Sequence, residues 1–430
     1  MANTDYRACP ITGATPAALE AFERAIVTFQ SWRTGTEREL SSALREAPEF
    51  VMAHVLRAYL HLSSRDPAVL RAARPVLESA TALRANAREQ IHLAAIAAVL
   101  ADDYERAKDL LGDLLREQPR DVLALQVAHA LDYVTGDLAR LGDRLPRALP
   151  AWSQALPGYH AVLAMYAFGL EECGEYQRAG ELAQQALALE PFDARAHHVL
   201  AHVFEMTNRP EAGLRWMHGH LKYWAVETVV ATHCWWHVAL FHLAVDQLVQ
   251  ALALYDRRVR VGHSSAISDL IDAAALLWRV HLRGGEVGAR WRELASAWGA
   301  HIGDGFCSFN DLHAMVSFVG AGDWDRARRL EGELTHRHAQ RTRYGTTTRQ
   351  VGLTACRGLV AFGRGDYPRA IGLLASLPVQ AHRIGGSQAQ RDLLTLTLSR
   401  AAEHVRPSGL KAPSAGAAGR STAVATSAGV

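Results

Sequence analysis

A short phrase that recurs along the chain restricts its fold more than any other feature. Asp103-Tyr104-Glu105-Arg106-Ala107 returns as Glu175-Tyr176-Gln177-Arg178-Ala179, as Asp323-Trp324-Asp325-Arg326-Ala327 and as Asp366-Tyr367-Pro368-Arg369-Ala370. Gly174, Gly322 and Gly365 directly precede the acidic residue in the last three copies. Each copy follows one apolar helical run and begins another. That is the turn of a helical hairpin: glycine ends the first helix, the aromatic ring packs into the bend, and the small alanine lets two helices approach closely. A single hairpin cannot bury its apolar face alone, so a series of them must stack.

The fuller pattern supports this. "MYAFGLEECGEYQRAGELAQQALALEP" carries Ala179, Ala186 and Pro191 at tetratricopeptide spacing, and "AAIAAVLADDYERAKDLLGDLLREQP" places Ala107 and Pro119 equivalently. Proline at that point stops the second helix of the pair. The period is irregular: Ala179 to Ala212 spans 33 residues, Ala212 to Ala251 spans 39, and Ala327 to Ala370 spans 43. No window alternates with period two, so no strands are predicted. The expected fold is all-α, a right-handed α-α superhelix of irregular helix hairpins. Residues 1–15 are expected to form an extended N-terminal arm, with Thr15 as helix cap and Pro16 at the first helical position. Residues 16–403 form a single repeat domain on this reading. Residues 404–430, rich in Gly, Ala, Ser and Pro, are expected to be a disordered tail.

Composition narrows the function classes. With 49% hydrophobic and 21% charged residues the chain can bury a substantial core. Lys+Arg 46 against Asp+Glu 44 leaves almost no net charge, which reads as no nucleic-acid partner. The five cysteines are scattered without a CxxC pair, so neither disulfides nor a cysteine zinc site is expected. The start lacks the pattern of a signal peptide, and no apolar run is long enough to cross a bilayer. The setting is therefore expected to be cytoplasmic, with no membrane partner. The chain holds 21 histidines, many for its length.

Those histidines fall in a polar constellation on stretches that otherwise read as helical core. His198 and His202 are four apart in "AHHVLAHVFEM", and Glu205 follows three later, so all three share one stripe of a helix. His233 and His237 form a second such pair in "THCWWHVALFHL", with Trp235 and Trp236 between them. His242 falls roughly on the opposite face. Glu171 and Glu172 close the preceding first-of-pair helix at repeat positions that usually face the concave side. Further along stand Asn310, Asp311 and His313 in "FCSFNDLHAMVSF", and Arg391 and Asp392 in "RIGGSQAQRDLL". The Gly385-Gly386-Ser387 turn would present free backbone N–H groups to an anion, although any start of a helix looks the same.

Paired imidazoles suit zinc, iron or copper when a third ligand comes from another helix. Here the HExxH spacing is absent, as is the paired Glu-x-x-His spacing of carboxylate-bridged di-iron bundles. No metal ligands and no cofactor are assigned. The plainer alternative is that each histidine is a half-buried residue bonded to a carbonyl or carboxylate, and each tryptophan a packing group. Against it, burying so many titratable groups is costly unless they satisfy one another, and such clusters concentrate at functional sites. The basic run from Thr335 to Gln350 reads as a solvated face. No nucleophile elbow, Walker loop or dinucleotide fingerprint occurs.

Taken in order, "MYAFGLEECGEYQRA", "AHHVLAHVFEM", "THCWWHVALFHL", "ALALYD", "FNDLHAMVSFVGAGDW" and "RIGGSQAQRDLL" resemble the tetratricopeptide repeat protein 38 family, over about Asp5 to Glu403. Cys234 stands where that family usually has Asn, and Gln388 where it usually has His. Both departures remove a polar or titratable option. The resemblance implies an all-helical repeat fold and a cytosolic setting, and supplies no reaction.

Three readings of function remain open. The first is a solenoid whose concave pocket binds a small-molecule or short polar ligand, with His198, His233, Trp235, Trp236, Glu172, Asn310, Asp311, His313, Arg391 and Asp392 as binding residues. The second is an enzyme using that pocket for acid–base chemistry, with His202 or His237 as base and Glu171 or Glu205 as its orienting partner. The third is a protein-interaction scaffold for a peptide or protein, with the histidines internal.

Overall fold

A computed structural model describes residues 4–405. Of the expected tail, 404–430, His404 and Val405 belong to the helix Leu393–Val405, and residues 406–430 lie outside the described residues. The architecture is the all-α superhelix that the repeats imply, a succession of helix hairpins with no strand among the described residues.

The recurring phrase builds each bend. Asp103, Asp323 and Asp366 cap the helices Tyr104–Glu117, Trp324–Arg337 and Tyr367–Leu374, each side chain accepting the N–H three residues on. Gly174, Gly322 and Gly365 take left-handed conformations, and Asp102 does so where the first copy has no glycine. Ala107, Ala179, Ala327 and Ala370 are fully buried where the paired helices touch.

Successive first-of-pair helices are tied together at the repeat spacing. The Tyr59 hydroxyl meets His92 Nδ1 at 2.9 Å, Arg88 Nε donates to Asp121 at 2.6 Å, and Tyr344 donates to Asp311 at 2.8 Å, each pair 33 residues apart. The N-terminal arm is a compact turn rather than a straight segment. Asp5 accepts the N–H groups of Arg7 and Cys9, and Arg7 pairs with Glu23 at 2.6 Å.

The superhelix comes round on itself. Asn310 donates to the carbonyl of Arg65 at 3.1 Å, Arg65 lies over the Phe309 ring, and Arg343 reaches Asp102 at 3.0 Å. Its apolar interior is not one continuous core. One large cluster runs from Ile11 to Val203 and another from Trp236 to Ala401. The histidine pairs occupy the two helices at which one core gives way to the other. No helix among the described residues is long and apolar enough to cross a membrane.

Candidate functional site

The site begins with two consecutive first-of-pair helices, Ala194–Met206 and Ala231–Ala244. Asp193 caps the first, and the same carboxylate meets His160 Nδ1 at 2.8 Å. With its start fixed, that helix sets His198 and His202 one turn apart on its inner face. The second helix turns His233 and His237 toward them. Ring centres are 4.4 Å apart for His198–His202, 4.5 Å for His202–His237, 5.0 Å for His198–His233 and 4.9 Å for His233–His237. The Nε2 atoms of His198 and His202 are 3.0 Å apart. One ring nitrogen from each of the four lies within 4.8 Å of the others. His202 and His237 are wholly buried, and His233 is the most exposed of the set.

Carboxylates back these rings. His233 Nδ1 meets both oxygens of Asp272 at 2.9 Å, and His237 Nδ1 meets Glu205 Oε2 at 2.8 Å. His202 Nδ1 is 3.5 Å from Glu171 Oε2, a contact too long and poorly aligned for a hydrogen bond. Asp272 is a site residue that sequence reasoning missed. It sits in the Ile267–Leu282 helix, and the signal was the second of two acids, Asp269 and Asp272, in the otherwise apolar run "ISDLIDAAALLW". Gln390, which donates to Asp272 at 3.3 Å, was missed as well.

Burial governs the protonation of the cluster. It pushes His202 down to about 3 and holds His198 and His237 well below the usual imidazole range. It raises Glu171 to about 8, with Arg391 pulling the other way. Burial, reinforced by Glu171, raises Glu172 to about 7, again against Arg391. Burial, then Asp392, also raises Glu205. His198, His202 and His237 are therefore held neutral around pH 7 and keep lone pairs to share.

The C-terminal segment crosses the inner face and meets this cluster. Gly385 and Gly386 both have positive φ, and a side chain on Gly386 would overlap the Phe309 ring. Ser387 and Gln390 form a capping box. In the same turn the Gln388 N–H donates to Glu172 Oε1 at 3.1 Å, and Arg391 pairs with Glu172 Oε2 at 3.1 Å. The turn does offer an N–H to an anion, and that anion is the protein's own Glu172.

Of the remaining candidates Trp236 touches the histidines, and the others lie elsewhere or face away. Trp236 is wholly buried and stacks on His233 at 5.1 Å, with Arg279 over its other side. Trp235 packs against Trp224 and under Arg258, outside the cluster. Asn310 serves the closure of the superhelix described above, and Asp311 accepts from Tyr344. His313 bonds through Nδ1 to the carbonyl of Phe309 within its own helix. Asp392 pairs with Arg279 and, with Glu205, lines a surface groove of about 590 Å³. His242 bonds to Gln247 on the outer side.

This fold and site define a tetratricopeptide-like helical solenoid with an internal polar cluster. No known family model matches the chain. Two solved structures share its general course. The human IFIT1 dimer with m7Gppp-AAAA is 12% identical, with 90% of this chain and 92% of that chain covered and a TM-score of 0.43. A monomeric mutant of IFIT1 with Gppp-AAAA is 13% identical, with 91% and 94% covered and a TM-score of 0.39. One expectation is corrected here. The near-zero net charge does not exclude a nucleic-acid partner: IFIT1 in these structures is with m7Gppp-AAAA and with Gppp-AAAA. Net charge sums over the whole surface, whereas a phosphate meets only the groups around it, so the exclusion does not stand.

Proposed function

We propose that this solenoid binds a small polar ligand at the inner cluster of His198, His202, His233, His237, Glu171 and Glu172. The observation that carries the reading is Glu171. Its carboxyl is fully buried beside His202, and neither oxygen has a hydrogen-bond partner. A buried polar group left unmade costs about 1–3 kcal/mol, which a ligand presenting donors would recover. Neighbouring groups are similarly unpartnered: His198 Nδ1, both nitrogens of His129, and Arg195 Nε. Phe168 and Trp32 lie against the same histidines and supply apolar wall. Glu205 connects the interior to solvent, since it holds His237 and also lines the surface groove.

The test is thermal-shift titration of the metal-stripped chain with spermidine, glucosamine and inositol as hydrogen-bond-donating probes. At least one should raise the melting temperature of the wild type and leave Glu171→Ala unmoved. If no probe stabilises the wild type, and Glu171→Gln simply melts higher, the cluster is core packing.

A second reading, acid–base catalysis, is favoured by one contact. His237 and Glu205 form a 2.8 Å imidazole–carboxyl pair whose acid reaches the groove, which suits His237 as base and Glu205 as its orienting partner. His202 with Glu171 is the looser counterpart. Residues 16–403 are read as one domain, related to the tetratricopeptide repeat protein 38 family by the order of its motifs, in a cytoplasmic setting.

A further inference from the structure

We propose that His198, His202, His233 and His237 together bind one divalent transition-metal ion, with Zn2+ the ion best matched to four imidazoles. This rests on reading the cluster as a functional site, but not on the identity of any organic ligand. Each element of the geometry points the same way. Four ring nitrogens from two helices lie within 4.8 Å of one another. Tetrahedral Zn–N bonds of about 2.0–2.1 Å place ligand nitrogens about 3.4 Å apart, so the set needs only a small contraction. The Nε2 atoms of His198 and His202, at 3.0 Å, already stand near that separation.

The outer shell is of the kind metal-bound histidines have. A ligating imidazole commonly gives its other N–H to a carboxylate, which fixes tautomer and ring orientation. His233 does so with Asp272 and His237 with Glu205, each through Nδ1, leaving Nε2 to face inward. His237 Nε2 is fully buried and has no hydrogen-bond partner. Glu171 stands behind His202 in the same relation, at a longer distance. Asp272 and Glu205 thus stand directly behind two of the four imidazoles, where the outer-shell carboxyls of a metal site sit. The arrangement escapes motif searches because its ligands are two i,i+4 pairs on successive repeats, not one helix with a signature.

The test is a Co2+ titration of the full chain, purified without an affinity tag and stripped with EDTA. One tight equivalent is expected, with the intense visible absorption of tetrahedral Co2+, displaced by Zn2+. The double variant His202→Gln/His237→Gln should lose that spectrum with unchanged far-UV circular dichroism. If the double variant does not fold, His233→Gln decides, with altered absorption and at least tenfold weaker binding expected. Asp272→Asn keeps all four imidazoles and should weaken binding about 10–100-fold. A wild type that takes up no tight equivalent overturns the proposal, as does a spectrum that survives the histidine substitutions unchanged. The organic ligand is probed on metal-stripped protein, so either reading fails without the other.

Discussion

Gln388 and Glu172 are joined by a 3.1 Å hydrogen bond across 216 residues of sequence. That bond ties the turn at 385–391 to the helix Tyr159–Glu172. The inner face is consequently not the open groove of a plain repeat array, because the segment from Pro378 to Arg391 lies over part of it. The contact also places a short polar turn beside the histidine cluster. What solvent reaches there depends on how firmly that turn is seated.

Seating depends on Gly386. Its φ is +80°, and any side chain would overlap the Phe309 ring. Gly386→Ala combines left-handed strain with overpacking, and should cost about 3 kcal/mol. Urea unfolding measures the loss. Hydrogen exchange should rise most in the segment around 380–392, with the hairpins near residue 60 little changed.

Arg391 and Glu172 should be coupled. Removing one partner of a buried ion pair leaves an uncompensated charge, at about 3–5 kcal/mol. Arg391→Met should be destabilising, but by less than that full figure, because Glu172, already raised to about 7, takes up a proton once Arg391 is gone. Glu172→Gln should cost less, since its amide oxygen still accepts the Gln388 N–H. The double variant should be more stable than the sum of the two losses by about 0.5–3 kcal/mol, as a double-mutant cycle reads it.

The fold was legible because its signal is local and repeated. Asp103, Asp323 and Asp366 cap helices, Gly322 and Gly365 end them, and the alanines mark each close approach, all within five residues of sequence. The convergence of His198 and His202 on His233 and His237 needed one further step, that successive repeats present the same face. Asp272 was hidden because its partner is 39 residues away, off the regular period, inside an apolar run. The Gly-Gly-Ser turn was visible as an N–H donor, but its acceptor, Glu172, is fixed only by the return of the chain. Trp235 and Trp236 are adjacent in sequence, and one residue of helical rotation sends them to different surroundings. The net charge misled for a different reason: it averages over surfaces that a partner meets one at a time.

Asp121 should be the most costly single carboxylate in the N-terminal half. It is fully buried, accepts from Arg88 Nε at 2.6 Å and meets His92 Nε2 at 3.0 Å, and caps the Val122–Thr135 helix. Burial opposes its charge, but Arg88 and His92 outweigh burial and hold the carboxyl well below its usual range. A depressed folded value stabilises above the unfolded value of about 4 and loses that stabilisation as pH falls through the folded one. Asp121→Asn leaves Arg88 only its longer pairing with Asp5, at 3.4 Å, and should cost about 3 kcal/mol at pH 7. Its acid-unfolding curve should also be flatter than that of the wild type.

Asp311 should act with the opposite sign. Burial raises its carboxyl to about 7, even though the Tyr344 hydroxyl, at 2.8 Å, favours the charged form. The unfolded chain releases that proton near pH 4, so between about 4 and 7 only the folded state holds it. Its contribution to stability therefore falls as pH rises through that window and is level above it. Asp311→Asn has no proton to lose, and its amide oxygen still accepts from Tyr344. Urea unfolding at pH 5 and pH 8 should show the wild type losing more stability than the variant, by at most a few kcal/mol at about 1.4 kcal/mol per unit. The comparison between the two proteins matters more than either slope, because Glu171 and Glu172 bend both curves in the same direction. Equal losses in the two proteins would mean that Asp311 is ionised in the folded chain at both pH values.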